Sequence, residues 1–199
     1  MTFDIQWGGL HKVISGGQTG ADQGGLIGAY RCNVATGGTA PEHFRTDNGF
    51  NPLLEVLGLT PKGSYADRTK KNIQDSEGTV MIVYNPTSPG ATLTRRLARE
   101  AGKPFLELNI KEPLDACLES PEFTPDGVMP ALHLHCVTLL EFIEENKISV
   151  LNVAGNREIP GANTDSTTML ITSFVSHIIE ITLEALDAGG NLIRKAHLA

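Results

Sequence analysis

Paired cysteines are missing. Only three cysteines occur among 199 residues, Cys32, Cys117 and Cys136, and they are far apart. An odd, widely spaced set excludes a disulfide framework and the Cys-x-x-Cys spacing of zinc or dithiol sites. Buried, inert thiols are the expectation. Long hydrophobic runs are absent too. No stretch reaches membrane-spanning length, and Met1-Thr2-Phe3-Asp4 offers no basic region followed by an apolar core. A cytoplasmic protein with no membrane partner is therefore expected. Positive charge is in deficit, with a net charge of −7, which argues against a broad nucleic-acid surface. One anionic small ligand remains compatible, because local backbone donors and an arginine or two outweigh diffuse surface charge.

Familiar catalytic signatures are missing as well. Gly20 is followed by Ala21-Asp22 rather than Lys-Ser/Thr, so the first glycine turn is not a Walker A loop, and it does not match Gly-x-Gly-x-x-Gly. There is no Gly-x-Ser-x-Gly elbow. His133 and His135 are two apart, on different faces of any helix, and have no partners at ligand spacing. No metal site is expected.

What is present is an alternation of short apolar runs with helical patterns, in a chain 40 % hydrophobic and 20 % charged. Strands are predicted at Lys12–Ser15, Asn33–Thr36, Thr79–Tyr84, Pro104–Leu108 and Ser149–Val153. Each is continuously apolar rather than alternating, as in parallel strands covered on both faces. Helices are predicted at Ala21–Arg31, Ala66–Asp75, Thr92–Ala101, Leu132–Glu144 and Thr164–Leu186. The last has an apolar face broad enough for the sheet or for a partner chain, so a homo-oligomer is expected. Two segments, 37–63 and 110–130, read as irregular excursions. The pattern implies a doubly wound, mainly parallel α/β sheet with helices on both faces, one domain over 1–199 with its core at about 10–187. Ligands in such sheets bind outside the strand carboxyl ends.

Several turns fall at those ends. Ser15-Gly16-Gly17-Gln18-Thr19-Gly20-Ala21-Asp22 joins the first strand to the first helix. Glycine permits close approach, and the helix start offers N–H donors and a positive dipole end, a combination suited to phosphate. Thr19 and Asp22 have capping-box spacing. Alternatively, Asp22 accepts a ligand hydroxyl or positions a water. After the second strand, Thr39, Glu42, His43 and Arg45 should lie beside this turn, with Arg45 available to an oxyanion. Arg68 and Asn72, four apart, share one helix face with Thr69 adjacent, which taken alone reads as solvated and basic. Gly90 and Thr92 repeat the strand–turn–helix logic, and Gly155-Asn156-Arg157 follows the last strand.

Together these residues resemble a known family. Ser-Gly-Gly-Gln-Thr-Gly-Ala-Asp at 15–22, Thr-Ala-Pro-Glu at 39–42, Arg68-Thr69-x-x-Asn72, Asp75-Ser76-x-Gly78-Thr79 and Leu-Asn-Val-Ala-Gly-x-Arg-Glu at 151–158 are similar to the molybdenum carrier proteins. Those form a circularly permuted YpsA branch of the SLOG superfamily, related to the LOG nucleotide-binding proteins. The resemblance spans about residues 10 to 185. It implies a Rossmann-like fold and a pocket formed by Gly16, Gly17, Thr19, Gly20, Asp22, Arg68, Thr69, Asn72, Gly90, Thr92, Gly155 and Arg157, to which the placement of the first two turns adds Gln18, Thr39 and Arg45 as ligand-binding candidates. It also implies a phosphorylated ligand, either molybdenum cofactor as cargo or a nucleotide-derived molecule. The family pattern has proline where this chain has Asn156, which is expected to loosen the turn before Arg157.

The LOG relatives cleave nucleotides with a Pro-Gly-Gly-x-Gly-Thr-x-x-Glu motif. Pro89-Gly90-Ala91-Thr92-Leu93-Thr94-Arg95 lacks its glycine pair and its glutamate. Hydrolysis would fall to Asp22 or Glu42 as general base. A carrier is therefore the first expectation, with a phosphoribohydrolase or a nucleotide-sensing module as alternatives.

Overall fold

The computed structural model describes residues 7–119, 125–159 and 164–189. Its frame is a six-stranded sheet in the order β5-β2-β1-β8-β6-β7. These strands are β1 (Lys12–Ser15), β2 (Ala35–Ala40), β5 (Leu59–Pro61), β6 (Gly78–Val83), β7 (Phe105–Asn109) and β8 (Val150–Gly155). All pairings within it are parallel. A two-stranded antiparallel ribbon, β3 (Arg45–Thr46) with β4 (Gly49–Phe50), lies in the excursion after β2. The helices are α1 (Ala21–Arg31), α2 (Leu53–Val56), α3 (Tyr65–Asp75), α4 (Pro89–Ala101), α5 (Lys111–Glu119), α6 (Pro125–Glu145) and α7 (Thr164–Ala188).

β6 is buried along its whole length, and its side chains serve two cores. Val80 and Ile82 join Val13, Leu151 and Val153 beneath α1, α6 and α7. Met81 and Val83 point the other way, toward Ala91 of α4. This two-sided burial explains why the strands read as unbroken apolar runs. The expectation that no stretch reaches membrane-spanning length is corrected by Thr167–Ala188 of α7, which is long and apolar enough to cross a membrane by length and composition alone. Phe174, Val175, Ile178, Ile179 and Leu183 are nonetheless buried in the main core. α1 can approach α7 closely because Gly24 and Gly28 face it. A Cβ on either would lie 2.6 Å from the carbonyl oxygen of Thr172 or Ser176, respectively.

Three departures from the sequence reading have identifiable causes. The second strand starts later and runs to Ala40, through the Gly37-Gly38 pair that reads as a breaker. The backbone of β1 comes so near that a Cβ on Gly38 would sit 2.3 Å from the Ser15 oxygen, so glycine there marks close packing rather than a turn. The excursions 37–63 and 110–130 contain β5 on the sheet edge and α5 with the start of α6. α4 begins at Pro89 rather than Thr92, because Ser88 caps it and proline suits the first helical position. Cys32 and Cys136 are buried, and burial pushes the Cys136 thiol up to about 11. The Cys117 side chain lies outside the described residues.

Candidate functional site

The chain leaves β1 outward to β2 and β5, and leaves β6 outward to β7. β8 then enters between β1 and β6. The carboxyl ends of these three central strands frame the crevice where an open α/β sheet takes its ligand. Two connected spaces occupy it. A narrow pocket of about 20 Å³ is lined by residues including Gly16, Asp22, Arg68, Thr94 and Asn152. That is room for about one water molecule. A wider cleft of about 280 Å³ is lined by Asn85, Ser88, Gly90, Asn156, Arg157 and neighbours. Tyr65 and Gly155 border both.

α3 supplies one wall. Ser64 and Asp67 form a reciprocal capping box that starts the helix at Tyr65. Tyr65, Arg68, Thr69 and Asn72 then share one face at i, i+3, i+4 and i+7. The solvated basic face read from sequence is overturned at its centre, where Arg68 is only 2 % exposed. Its Nη1 donates to the Gly16 carbonyl and lies 3.7 Å from Asp22 Oδ2. Its Nε is buried without a hydrogen-bond partner among the described residues. Gly16 makes this possible, since a Cβ there would lie 2.6 Å from Asp22 Oδ2 and 2.7 Å from Arg68 Nη1. Asn72 is engaged with β2, accepting from Thr39 N–H at 2.7 Å and donating to Thr39 O at 3.2 Å. The Thr69 hydroxyl donates to Tyr65 O within the helix.

Asp22 also accepts from Gln18 N–H at 3.2 Å. Burial raises its pKa above the ordinary 3.8, against the opposing pull of Arg68 and the Gln18 N–H. The folded chain therefore holds this proton more tightly than the unfolded chain. Its contribution to stability is present below pH 3.8 and lost as pH rises through the folded value. Asp22→Asn keeps the acceptor and removes the charge, so its stability relative to wild type should be more favourable at pH 7 than at pH 3.5. Urea midpoints at the two pH values check this. A relative stability that moves the other way would refute it.

The first turn is more occupied than its sequence suggests. Gly20, at φ 79°, caps α1 with no side-chain hydrogen bond, so the Thr19–Asp22 capping box does not form. Ala21 N–H donates to Asn156 O at 3.0 Å, and Gln23 N–H to Gln18 O at 3.1 Å. Gln18 Oε1 accepts from the N–H groups of Thr19 and Asp47, each at 3.0 Å. Gly17 packs toward Leu54 and Leu59. Glu42 and Arg45 are exposed and line neither space, and Thr92 is exposed on α4.

The cleft is built around Asn156, and here the expectation of a loosened turn is corrected. Asn156 is buried, and its Oδ1 accepts from Tyr84 N–H at 2.8 Å and Asn85 N–H at 2.7 Å. Its Nδ2 donates to Ser88 Oγ at 3.0 Å. The side chain thus ties the end of β8 to the turn before α4, a link that proline could not make. Arg157 then lies beside Tyr65, its guanidinium carbon 5.1 Å from the ring centroid, with Arg68 at 4.5 Å from the same ring. Arg157 also pairs with Asp47 at 2.9 Å.

Sequence reasoning missed Tyr65, Ser88, Thr94, Asn152 and Asp47. Asn152 was the most readable, as a polar residue inside a buried strand that must find a partner; it donates to Thr79 Oγ1 at 3.2 Å. Ser88-Pro89 carries a cap signature. Nothing local marks Asp47. Among the described residues no three His, Cys, Asp or Glu side chains gather as a metal site.

The model of the circularly permuted YpsA SLOG family matches residues 13–175. The crystal structure of "Putative molybdenum carrier protein" from Syntrophus aciditrophicus SB is similar to this chain, with a TM-score of 0.67 and 28 % identity. The match covers 88 % of this chain and 96 % of that one. No curated protein sequence matches. With its parallel sheet, its central crevice and a family match over most of its length, the chain belongs to the circularly permuted YpsA SLOG family.

Proposed function

We propose that this chain is a binding protein for an oxyanion-bearing small molecule, with the phosphate of a molybdenum cofactor or of a nucleotide-derived ligand held in the cleft. The observation that carries the reading is the pair of guanidinium groups, Arg68 and Arg157, on one tyrosine ring where the two spaces meet. The start of α4, with its dipole and the Ser88 cap, faces the same cleft. The narrow pocket accepts little more than one polar atom, so the body of the ligand sits in the cleft. Arg157 reaches it by exchanging Asp47 for the incoming anion. The name of the Syntrophus protein supports molybdenum cofactor as the cargo to test first.

Native mass spectrometry of the purified protein, with molybdenum analysis and an AMP titration, tests this. Arg157→Gln should weaken retention or AMP affinity roughly tenfold to a hundredfold, the range for a lost charge-assisted contact. A wild-type protein that retains nothing and binds no phosphorylated probe would sink the proposal. One observation favours hydrolysis as a second reading. Asp22, with its raised pKa, borders a space the size of one water. Release of adenine from AMP, abolished in Asp22→Asn, would move the assignment to an enzyme.

A further inference from the structure

A recess larger than the cleft lies elsewhere. It is a groove of about 430 Å³ on the other side of α3, with Lys12, Lys62, Lys71 and Asp75 on its walls and Thr39 and Thr60 at its base. Lys12 and Ile14 of β1, Gly37 and Thr39 of β2 and Thr60 of β5 are in register on one face of the sheet. Further along the same face, α4 covers Met81 and Val83. Beyond the edge of α3 this groove runs over part of β5, β2 and β1, and its lining sets Gly38, Gly58, Thr39 and Thr60 beside the apolar side chains of Ile14 and Val150.

The charges in it do not balance. Lys71 is paired with Asp75, at 2.5 Å. Lys12 and Lys62 bond through their backbone N–H groups to Ser149 O and Ala40 O, and their ammonium groups have neither a carboxylate nor a hydrogen-bond partner among the described residues. Lys12 is half-buried, and its side chain lies along the bare backbone of Gly37, where a Cβ would sit 3.0 Å from Cε and 3.2 Å from Nζ. The groove therefore carries a surplus of two positive charges on a chain whose net charge is −7. Two unpaired ammonium groups held in one recess, one of them partly withdrawn from water, attract a multiply charged anion.

From this arrangement we propose that the groove binds a small anion with two or more negative charges, of the diphosphate type, at a site separate from the cleft. Lys12 and Lys62 would supply the charge, and the Thr39 and Thr60 hydroxyls the hydrogen bonds. No residue lines both recesses except through α3, whose Asn72 reaches Thr39 from the pocket side.

Titration with inorganic pyrophosphate, followed by amide NMR, separates the two sites. The groove is reported by Gly37, Gly38, Gly58 and Thr60, and the cleft by Gly90 and Gly155. The groove amides should shift in wild type and in Arg157→Gln alike. The double variant Lys12→Gln/Lys62→Gln should keep the native spectrum and bind at the groove about tenfold more weakly, as expected for two modest charge interactions. Groove amides that stay still in wild type, or that respond equally in the double variant, would overturn the proposal. Movement of the cleft amides alone would also overturn it, while leaving the cleft reading intact.

Discussion

Replacing Gly155 with alanine should lower stability by about 3 kcal/mol or more, the upper end of overpacking penalties. The added Cβ would lie 1.9 Å from the Ile82 carbonyl oxygen and 2.7 Å from Ala21 Cβ. The first is backbone in the paired strand β6, and the second anchors the start of α1, so neither can swing aside as a flexible side chain would. β8 must retreat, and with it go the Asn156 hydrogen bonds to Tyr84 and Asn85. For a chain of this size the loss corresponds to a fall in Tm of roughly 6–12 °C. Gly102→Ala is the internal comparison. It sits at φ 64° at the end of α4 with nothing within 4 Å of a Cβ. Only left-handed strain of about 1 kcal/mol applies there. Thermal melts showing the two variants equally stable would contradict the close approach of β8 to β6.

Arg68→Met is the second large effect. The substitution keeps an unbranched side chain of comparable length and deletes the charge. It leaves the Gly16 carbonyl without its donor and Asp22 buried without its nearest cation. Removing one partner of a buried pair costs about 3–5 kcal/mol in general. The lower end applies here, because Asp22 can take up a proton instead. Burial already raises the Asp22 pKa, and losing Arg68 raises it further. The penalty should therefore be largest near neutral pH and shrink in acid, where Asp22 is neutral in both proteins. Arg68→Met/Asp22→Asn should recover part of the loss at pH 7. Urea unfolding of the four proteins forms a double-mutant cycle. Additive losses would show that the two side chains do not sense each other.

Much of the architecture was legible because burial on both faces leaves a direct mark in composition. The bounds of β1 and α1 coincide with those read from Lys12–Ser15 and Ala21–Arg31, and the last three sheet strands agree within one or two residues. The errors share a cause. Gly37-Gly38 and the 110–130 segment were read from local propensity, and tertiary contacts set their conformation. The site followed the same division. The glycine turns at strand ends could be found, since they are local. Whether Arg68 faces solvent or Asp22 depends on the missing Cβ of Gly16, fifty-two residues away along the chain. Asp47, which meets Arg157 across 110 residues, had no local signature at all.

The late entry of β8 into the middle of the sheet sets an order on how the molecule is made. Until β8 arrives, β1 and β6 each present a bare edge, and the Ser15 hydroxyl lacks its acceptor on Val153, 138 residues further on. Loops of that span close slowly. During synthesis the three-quarters of the chain that precedes β8 can gather only as two unjoined fragments of sheet, with edges open to aggregation or to a chaperone. The recess between Tyr65, Gly155 and Arg157 exists only once those fragments are joined. Competence to hold a ligand is thus acquired only once β8 is in place, and a bound ligand would stabilise the joined sheet.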